Sequence, residues 1–194
     1  MVNDEWSALH SGVEIKGFVK YWILISKYLA KPFIWLRISP NQISVLSIFF
    51  SVPFIFYPYS WWIVLIALVL DGIDGRVAIA TKKATKYGAV VDSISDRIIE
   101  LIWGLGLFML GLNLIPIFLF IGMGWIQEYI RARAGGLGYK GIGVVTISER
   151  PTRAIFISLI SLLGTWSTLI LWIAFIVQLI GLITLIIVLE KDIN

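Results

Sequence analysis

The chain has 194 residues, of which 59% are hydrophobic and 14% charged, and its mean hydropathy is +0.91. These values exclude an ordinary soluble domain and describe a polytopic membrane protein. No cysteine is present, which excludes a disulfide framework and a thiolate metal site, and the net charge of +4 falls in loops, where it reports topology and calls for no nucleic-acid partner.

Residues 1–11 form a polar tail that holds the only histidine, His10, read as solvated. No stretch here has the layout of a cleaved signal peptide. Residues 13–30 then become amphipathic, with Phe18, Trp22, Ile25, Leu29 and Phe33 recurring at helical spacing and Lys16, Lys20, Lys27 and Lys31 opposite them. This predicts an interfacial helix on an anionic membrane surface, so that residues 1–40 comprise a tail and a juxtamembrane helix. Ser39-Pro40-Asn41 breaks that helix and starts the next, with Asn41 as the expected cap.

Residues 41–190 are predicted to form a six-helix transmembrane domain. The apolar run 43–70 is interrupted by Tyr57-Pro58-Tyr59-Ser60 and splits into two spans, and further spans are expected at 88–110, 114–130, 153–166 and 169–189. The turns at 57–60, 111–113 and 164–168 carry no charge, whereas Lys82, Lys83, Lys86, Arg131, Arg133, Lys140, Arg150 and Arg153 fall in the alternate connections. Six spans thus place every basic loop and both termini in the cytoplasm. Gly104, Gly106, Gly122 and Gly124 are read as points of close helix packing in preference to a dimer seam.

Against this apolar background stand Asp71, Asp74, Asp92 and Asp96. A charge within a span costs at least about 2.5 kcal/mol, so four acids in neighbouring helices require cations or a metal among them. Asp71 and Asp74 share a helix face with Gly75 and Ala78, and Gly88, Asp92 and Asp96 form a stripe on the next helix. If the chain turns around residues 82–86, Asp74 and Asp92 lie roughly 9 to 12 Å from the turn and Asp71 and Asp96 roughly 15 to 16 Å. Two tiers of hard oxygen ligands result, suited to Mg²⁺, Mn²⁺ or Ca²⁺ better than to zinc.

A second constellation lies between the fourth and fifth spans. Arg131, Arg133, Lys140, Arg150 and Arg153 are interspersed with Gly135, Gly136, Gly138, Gly141 and Gly143, and Glu128 and Glu149 are the accompanying acids. Anchoring on the cytoplasmic side accounts for some of these cations. Arginine forks and exposed backbone N–H groups also suit a phosphorylated substrate, which is the reading adopted.

The order Asp-x2-Asp-Gly-x2-Ala followed by Gly-x3-Asp-x3-Asp, met by Asp71, Asp74, Gly75, Ala78, Gly88, Asp92 and Asp96, resembles the signature of the CDP-alcohol phosphotransferases, membrane enzymes of phospholipid synthesis. Tyr-Ile-Arg-Ala-Arg-Ala and the later Glu-Arg-Pro-x-Arg resemble the branch of phosphatidylinositol-phosphate and archaetidylinositol-phosphate synthases. The chain departs at Ile79, where the signature continues with arginine, and at Gly135, where the branch commonly has glutamate.

The resemblance implies a metal-dependent homodimeric transferase using a CDP-linked lipid, membrane lipids around it, and a phosphorylated polyol acceptor. It implies two ions, Mg²⁺ or Mn²⁺, at Asp71, Asp74, Asp92 and Asp96, with Asp96 also the general base. Asn41, Gln42, Ile43, Ser44, Gly75 and Thr85 would bind the CDP-lipid, and Arg131, Arg133, Arg150 and Arg153 the acceptor phosphate, inositol phosphate ahead of glycerol phosphate. Arg76 or Lys82, each about one turn from Ile79, is a candidate replacement for the missing arginine. The alternatives are a membrane cation transporter and a degenerate relative that only binds CDP-lipid.

Overall fold

The computed structural model describes residues 18–139 and 146–193, with side chains described for 25–139 and 146–191. His10, Lys16, Lys140, Gly141 and Gly143 lie outside the described residues, as do the side chains of Phe18, Lys20 and Trp22. Among the described residues all regular structure is helical: α1 (Phe18–Trp35), α2 (Pro40–Ser51), α3 (Pro53–Phe56), α4 (Trp61–Ala80), α5 (Lys86–Met109), α6 (Leu114–Gly136), α7 (Arg150–Leu162), a short 3₁₀ turn (Gly164–Trp166) and α8 (Ser167–Ile193).

The first helix continues to Trp35, past the expected end at Ala30, and takes Pro32 into its last turns. Ile25 and Leu29 of the expected apolar stripe are exposed, while Ser26 and Ala30 are buried. Ala30 packs with Ile43, Ile73 and Val77, and Phe33 flanks them. A face of small residues therefore seats α1 on the bundle, and part of the apolar stripe points away from it.

After α1 the chain bends by 104° into α2. The cap of α2 is Ser39, not Asn41: Gln42 N–H donates to Ser39 Oγ at 3.3 Å, and Ser39 N–H donates to Gln42 Oε1 at 2.8 Å. This reciprocal box, with Pro40 in the first turn, leaves the Asn41 side chain out of the cap. Pro53 divides α2 from α3, and the expected break follows at Tyr57–Ser60 before α4 starts.

Helix α4 ends in a left-handed closure. Lys83 N–H reaches Ala78 O at 2.9 Å and Lys82 N–H reaches Ile79 O at 3.1 Å, with Lys82 at φ 54°. This is the paired-bond helix stop that normally uses glycine at the positive-φ position. Thr85 then caps α5, accepting from Gly88 N–H at 2.9 Å. Helix α7 starts at Arg150, three residues before the expected span, because Glu149 takes the extended N-cap conformation and Pro151 fits the first turn.

Helix α4 packs against α1, α2 and α7, while α5 packs against α2, α3 and α6, and α8 closes over α6 and α7. Phe54, Val64, Ala67, Ile99, Trp103, Leu107, Phe120, Ile157 and Leu171 build the main core. Gly104 belongs to the α5–α6 contact, where an added Cβ would lie 2.6 Å from Ile121 Cδ1, and Gly106 faces Phe54. Gly122 has open space beside it. Phe49, Phe56, Ile115, Phe118, Leu169 and Ile183 project outward, giving a perimeter that water solvates poorly.

Among the described residues one helical stretch, Gly164–Lys191, is long and apolar enough to cross a membrane by itself, and the bent pair Ile25–Trp35 and Pro40–Phe56 reaches that standard together. Helices α4 and α5 contain the acids of the site, and α7 has only 13 residues.

Candidate active site

A cavity of about 340 Å³ opens between the start of α2, the end of α4 and the start of α5. Asn41 and Ser44 line it from α2, Asp74, Gly75, Ala78 and Ile79 from α4, and Lys83, Ala84 and Thr85 from the turn. Gly88, Ala89 and Asp92 complete it from α5. Two helix N-termini therefore border one space, an arrangement whose field favours an anionic ligand. A Cβ on Gly88 would lie 3.1 Å from Thr85 Oγ1 and 3.3 Å from Asn41 Oδ1, so its absence permits the close approach of α2 and α5.

Of the six residues expected to contact the nucleotide-lipid, Asn41, Ser44, Gly75 and Thr85 line this cavity. Gln42 is engaged in the α2 cap, and Ile43 is fully buried in the core, so neither is among the lining residues. Arg76 and Lys82, the candidate replacements for arginine at Ile79, are also absent from the lining. The cation there is Lys83.

At the inner end, Asp71, Asp74 and Asp92 each place a carboxylate oxygen within 4.8 Å of the others. Ser44 Oγ donates to Asp74 Oδ2, and Gly75 N–H donates to Asp74 Oδ1 at 2.5 Å. Asp71 Oδ1 is buried without a hydrogen-bond partner. Three converging hard donors and an orphaned buried acceptor fit a hard divalent cation. Asp96 is outside this group: Arg150 Nη1 lies 2.6 Å from Asp96 Oδ1 and also contacts Asp71 Oδ2. The upper tier thus faces the cavity, and the deeper tier shares an arginine.

The loop before α7 is held by a polar network. Arg131 forks onto Glu149, Nη1 to Oε2 at 2.7 Å and Nη2 to Oε1 at 2.5 Å, and Nη1 also reaches Glu128 at 3.4 Å. Thr146 donates to Glu149 through its backbone at 2.7 Å and its hydroxyl at 2.8 Å. Below them Gln127 Nε2 donates to Thr146 Oγ1, and Ser148 Oγ and Gln178 Nε2 both donate to Gln127 Oε1, tying the loop to α6 and α8. These bonds fix the start of α7 and aim Arg150 at the acids, with its guanidinium 5.8 Å from the Trp103 ring.

Arg153 is 2% exposed, and its guanidinium is fully engaged. Nε and Nη2 donate to Glu100 Oε1 at 3.0 and 2.7 Å, and Nη1 donates to Ser148 O at 2.9 Å. Arg133 is exposed and makes no ion pair among the described residues. The four arginines grouped by the sequence thus occupy four different situations.

Glu100 and Arg97 were missed by the sequence reading. Glu100 is buried and receives Arg153, Arg97 at 3.2 Å and Trp125 Nε1 at 2.8 Å. Glu100 lies four residues after Asp96 and extends the acidic stripe by one helical turn, which was the signal available for finding it. Gly124 lets Arg153 pass, since a Cβ there would sit 3.1 Å from Arg153 Cδ and Nε.

An all-helical bundle with a carboxylate cluster suited to a hard cation, set beside a cavity and a loop flanked by arginines, defines the class. The chain belongs to the CDP-alcohol phosphatidyltransferase family, whose sequence profile matches residues 37–189. It is therefore related to transferases of a membrane-embedded family.

Archaetidylinositol phosphate synthase of Pyrococcus horikoshii is 33% identical over 156 residues, 73% of this chain and 81% of that protein. CDP-diacylglycerol–serine O-phosphatidyltransferase of Helicobacter pylori is 41% identical over 69 residues, and the match spans only 29% of its length. The match covers 32% of this chain. The crystal structure of Mycobacterium tuberculosis phosphatidylinositol phosphate synthase (PgsA1) with CDP-DAG bound superposes with a TM-score of 0.71 at 20% identity, covering 84% of this chain and 92% of that one. The last likeness establishes the fold.

Proposed function

We propose that the chain transfers a phosphatidyl-type group, a diacylglycerol or archaeol phosphate, from a CDP-linked lipid to inositol phosphate, with release of CMP. The observation that carries this reading is the meeting of two regions on one set of acids. The cavity ends at Asp74 and Asp92, and the loop delivers Arg150 to Asp71 and Asp96. The name of the Pyrococcus relative supports the choice of acceptor.

Asp71, Asp74 and Asp92 would hold the divalent ions, two of Mg²⁺ or Mn²⁺, with Asp96 available at their margin. When bound, such ions neutralise a pyrophosphate and stabilise departing CMP. Asn41, Ser44, Gly75 and Thr85 hold the nucleotide of the donor, while Gln42 and Ile43 support them through the cap and the core. The acceptor oxygen attacks the lipid-side phosphorus, its proton passes to Asp96, and the bond to CMP breaks with the electron pair leaving on CMP.

Arg133, Arg131 and Arg150 hold the acceptor's own phosphate and orient its hydroxyl. Arg153 acts behind them as a positioning residue through Glu100 and Ser148. The bundle is read as six crossings, α2 with α3, then α4, α5, α6, α7 and α8, with α1 at the interface and the site and both termini on the cytoplasmic side. A homodimer is expected.

A cation pathway lacks support, because residues 61–70 and 101–109 carry no charge beyond the acid cluster. One observation favours a different acceptor within the same reaction: Arg131, Arg150 and Arg153 already have carboxylate partners, so three of the four grouped arginines are charge-matched without a ligand. Serine, named for the Helicobacter relative, needs no phosphate pocket. Purified protein supplied with a CDP-lipid and inositol phosphate, glycerol phosphate or serine in parallel should release CMP with inositol phosphate. Release only with serine or glycerol phosphate replaces the acceptor, and release with none of them defeats the proposal.

A further inference from the structure

The cavity contains a charge that the acid cluster does not explain. Lys83 is the basic residue among its lining residues, is exposed, and forms no ion pair among the described residues. Its position is set by the backbone. The left-handed turn at Lys82 folds the chain back over the end of α4, and Lys83 N–H is locked to Ala78 O at 2.9 Å. Lys83 thereby joins the cavity wall, while Lys82 and Lys86 on either side do not line it. Ile79, on the same wall, supplies no charge.

A cavity lined both by carboxylates and by an ammonium with no ion pair among the described residues suits a ligand with an extended anionic group, one part reached through the acids' cation and another by the lysine. The bordering N-termini of α2 and α5 reinforce that preference. Building on the function proposed above, we infer that Lys83 is a donor-binding residue whose ammonium contacts the phosphate of the cytidine nucleotide. Lysine suits this place because it is a compact point charge on a long stem that reaches in from a turn.

The inference is tested by titrating the intact protein with CDP in the presence of Mn²⁺, read by calorimetry, alongside the donor KM. Lys83→Met should weaken CDP binding and raise the donor KM roughly tenfold, the size of one charge-assisted contact reached by solvent, with kcat kept within about twofold. Lys83→Arg should retain affinity, and Lys86→Met should bind as the parent does. Ile79→Arg added to Lys83→Met should restore CDP binding, because it returns a cation to the same wall.

Unchanged CDP binding in Lys83→Met, or an equal loss in Lys86→Met, overturns the assignment. Absence of CDP binding by the unsubstituted protein overturns the functional reading itself, and the assignment with it.

Discussion

The cavity between α2, α4 and α5 and the loop before α7 meet at the same aspartates but treat charge in opposite ways. In the cavity Asp74 has only hydroxyl and backbone donors, and Lys83 has no carboxylate partner among the described residues. On the helices flanking the loop, Arg131, Arg150 and Arg153 are each matched to acids. Uncompensated charge inside a bundle is expensive and marks a place for ligands, whereas matched charge can serve architecture as well as binding. The difference separates residues that wait for a partner from residues that already have one.

Substitutions sharpen this contrast. The largest effect is expected at the acids of the cavity: Asp92→Asn should lower CMP release by more than about 100-fold, beyond the range typical of losing an outer-shell partner. Mn²⁺ binding, followed by calorimetry, should weaken in parallel while thermal stability holds. Activity unaffected by either Asp92→Asn or chelation would remove the metal from the account.

On the matched side the leading effect should be on stability. Glu100→Gln leaves Arg153 buried without its counter-charge and should destabilise the fold by about 3–5 kcal/mol, seen as a lower Tm in detergent. The paired change Glu100→Leu with Arg153→Met should recover most of that loss. If the single and paired variants melt alike, the pair is not what holds α5 to α7.

A smaller effect follows from Glu149. Burial raises its carboxyl pKa, but the hydrogen bonds from Arg131 and Thr146 outweigh burial and hold it below the ordinary value of 4.5. A lowered carboxyl stabilises the fold above its unfolded pKa, and that contribution disappears as the pH falls through the folded value. The stability advantage over Glu149→Gln should therefore be complete at neutral pH and shrink once the pH drops below 4.5. An advantage that grows in acid would contradict the pairing.

The smallest change concerns the turn that carries Lys83. Lys82 occupies a left-handed position at φ 54°, so Lys82→Gly should relieve about 1 kcal/mol of backbone strain, offset in part by the entropy of glycine in the unfolded chain. Chemical denaturation would show a small gain or no change. A clear loss would mean that the Lys82 side chain has a partner of its own.

Much of the helical order was legible from periodicity and punctuation. Tyr57-Pro58-Tyr59-Ser60 marked a real break, the charge-free turn at 111–113 separates α5 from α6, and that at 164–168 falls at the α7–α8 junction, although α8 already starts at Ser167. Boundaries failed where a cap competed with a proline. Asn41 looked like the cap of α2, yet Ser39 with Gln42 closes the box, and α1 carries Pro32 in its last turns. Local propensity ranks such candidates, but the bonds actually formed decide between them.

The aspartate spacing was visible because helical periodicity is a one-dimensional rule, but the expected tiers are not separate in the structure: Asp71 converges with Asp74 and Asp92 and also shares Arg150 with Asp96. The sequence by itself therefore determined the helical class, the family and the faces on which the acids lie. Only the tertiary structure decided which cation meets which anion: Arg150 on Asp71 and Asp96, Arg153 on the unsuspected Glu100, and Lys83 on the cavity wall beside Ile79. Side chains on the same helix are related by a fixed rise and rotation, but those on different helices meet through packing and turn geometry, which no spacing along the chain encodes.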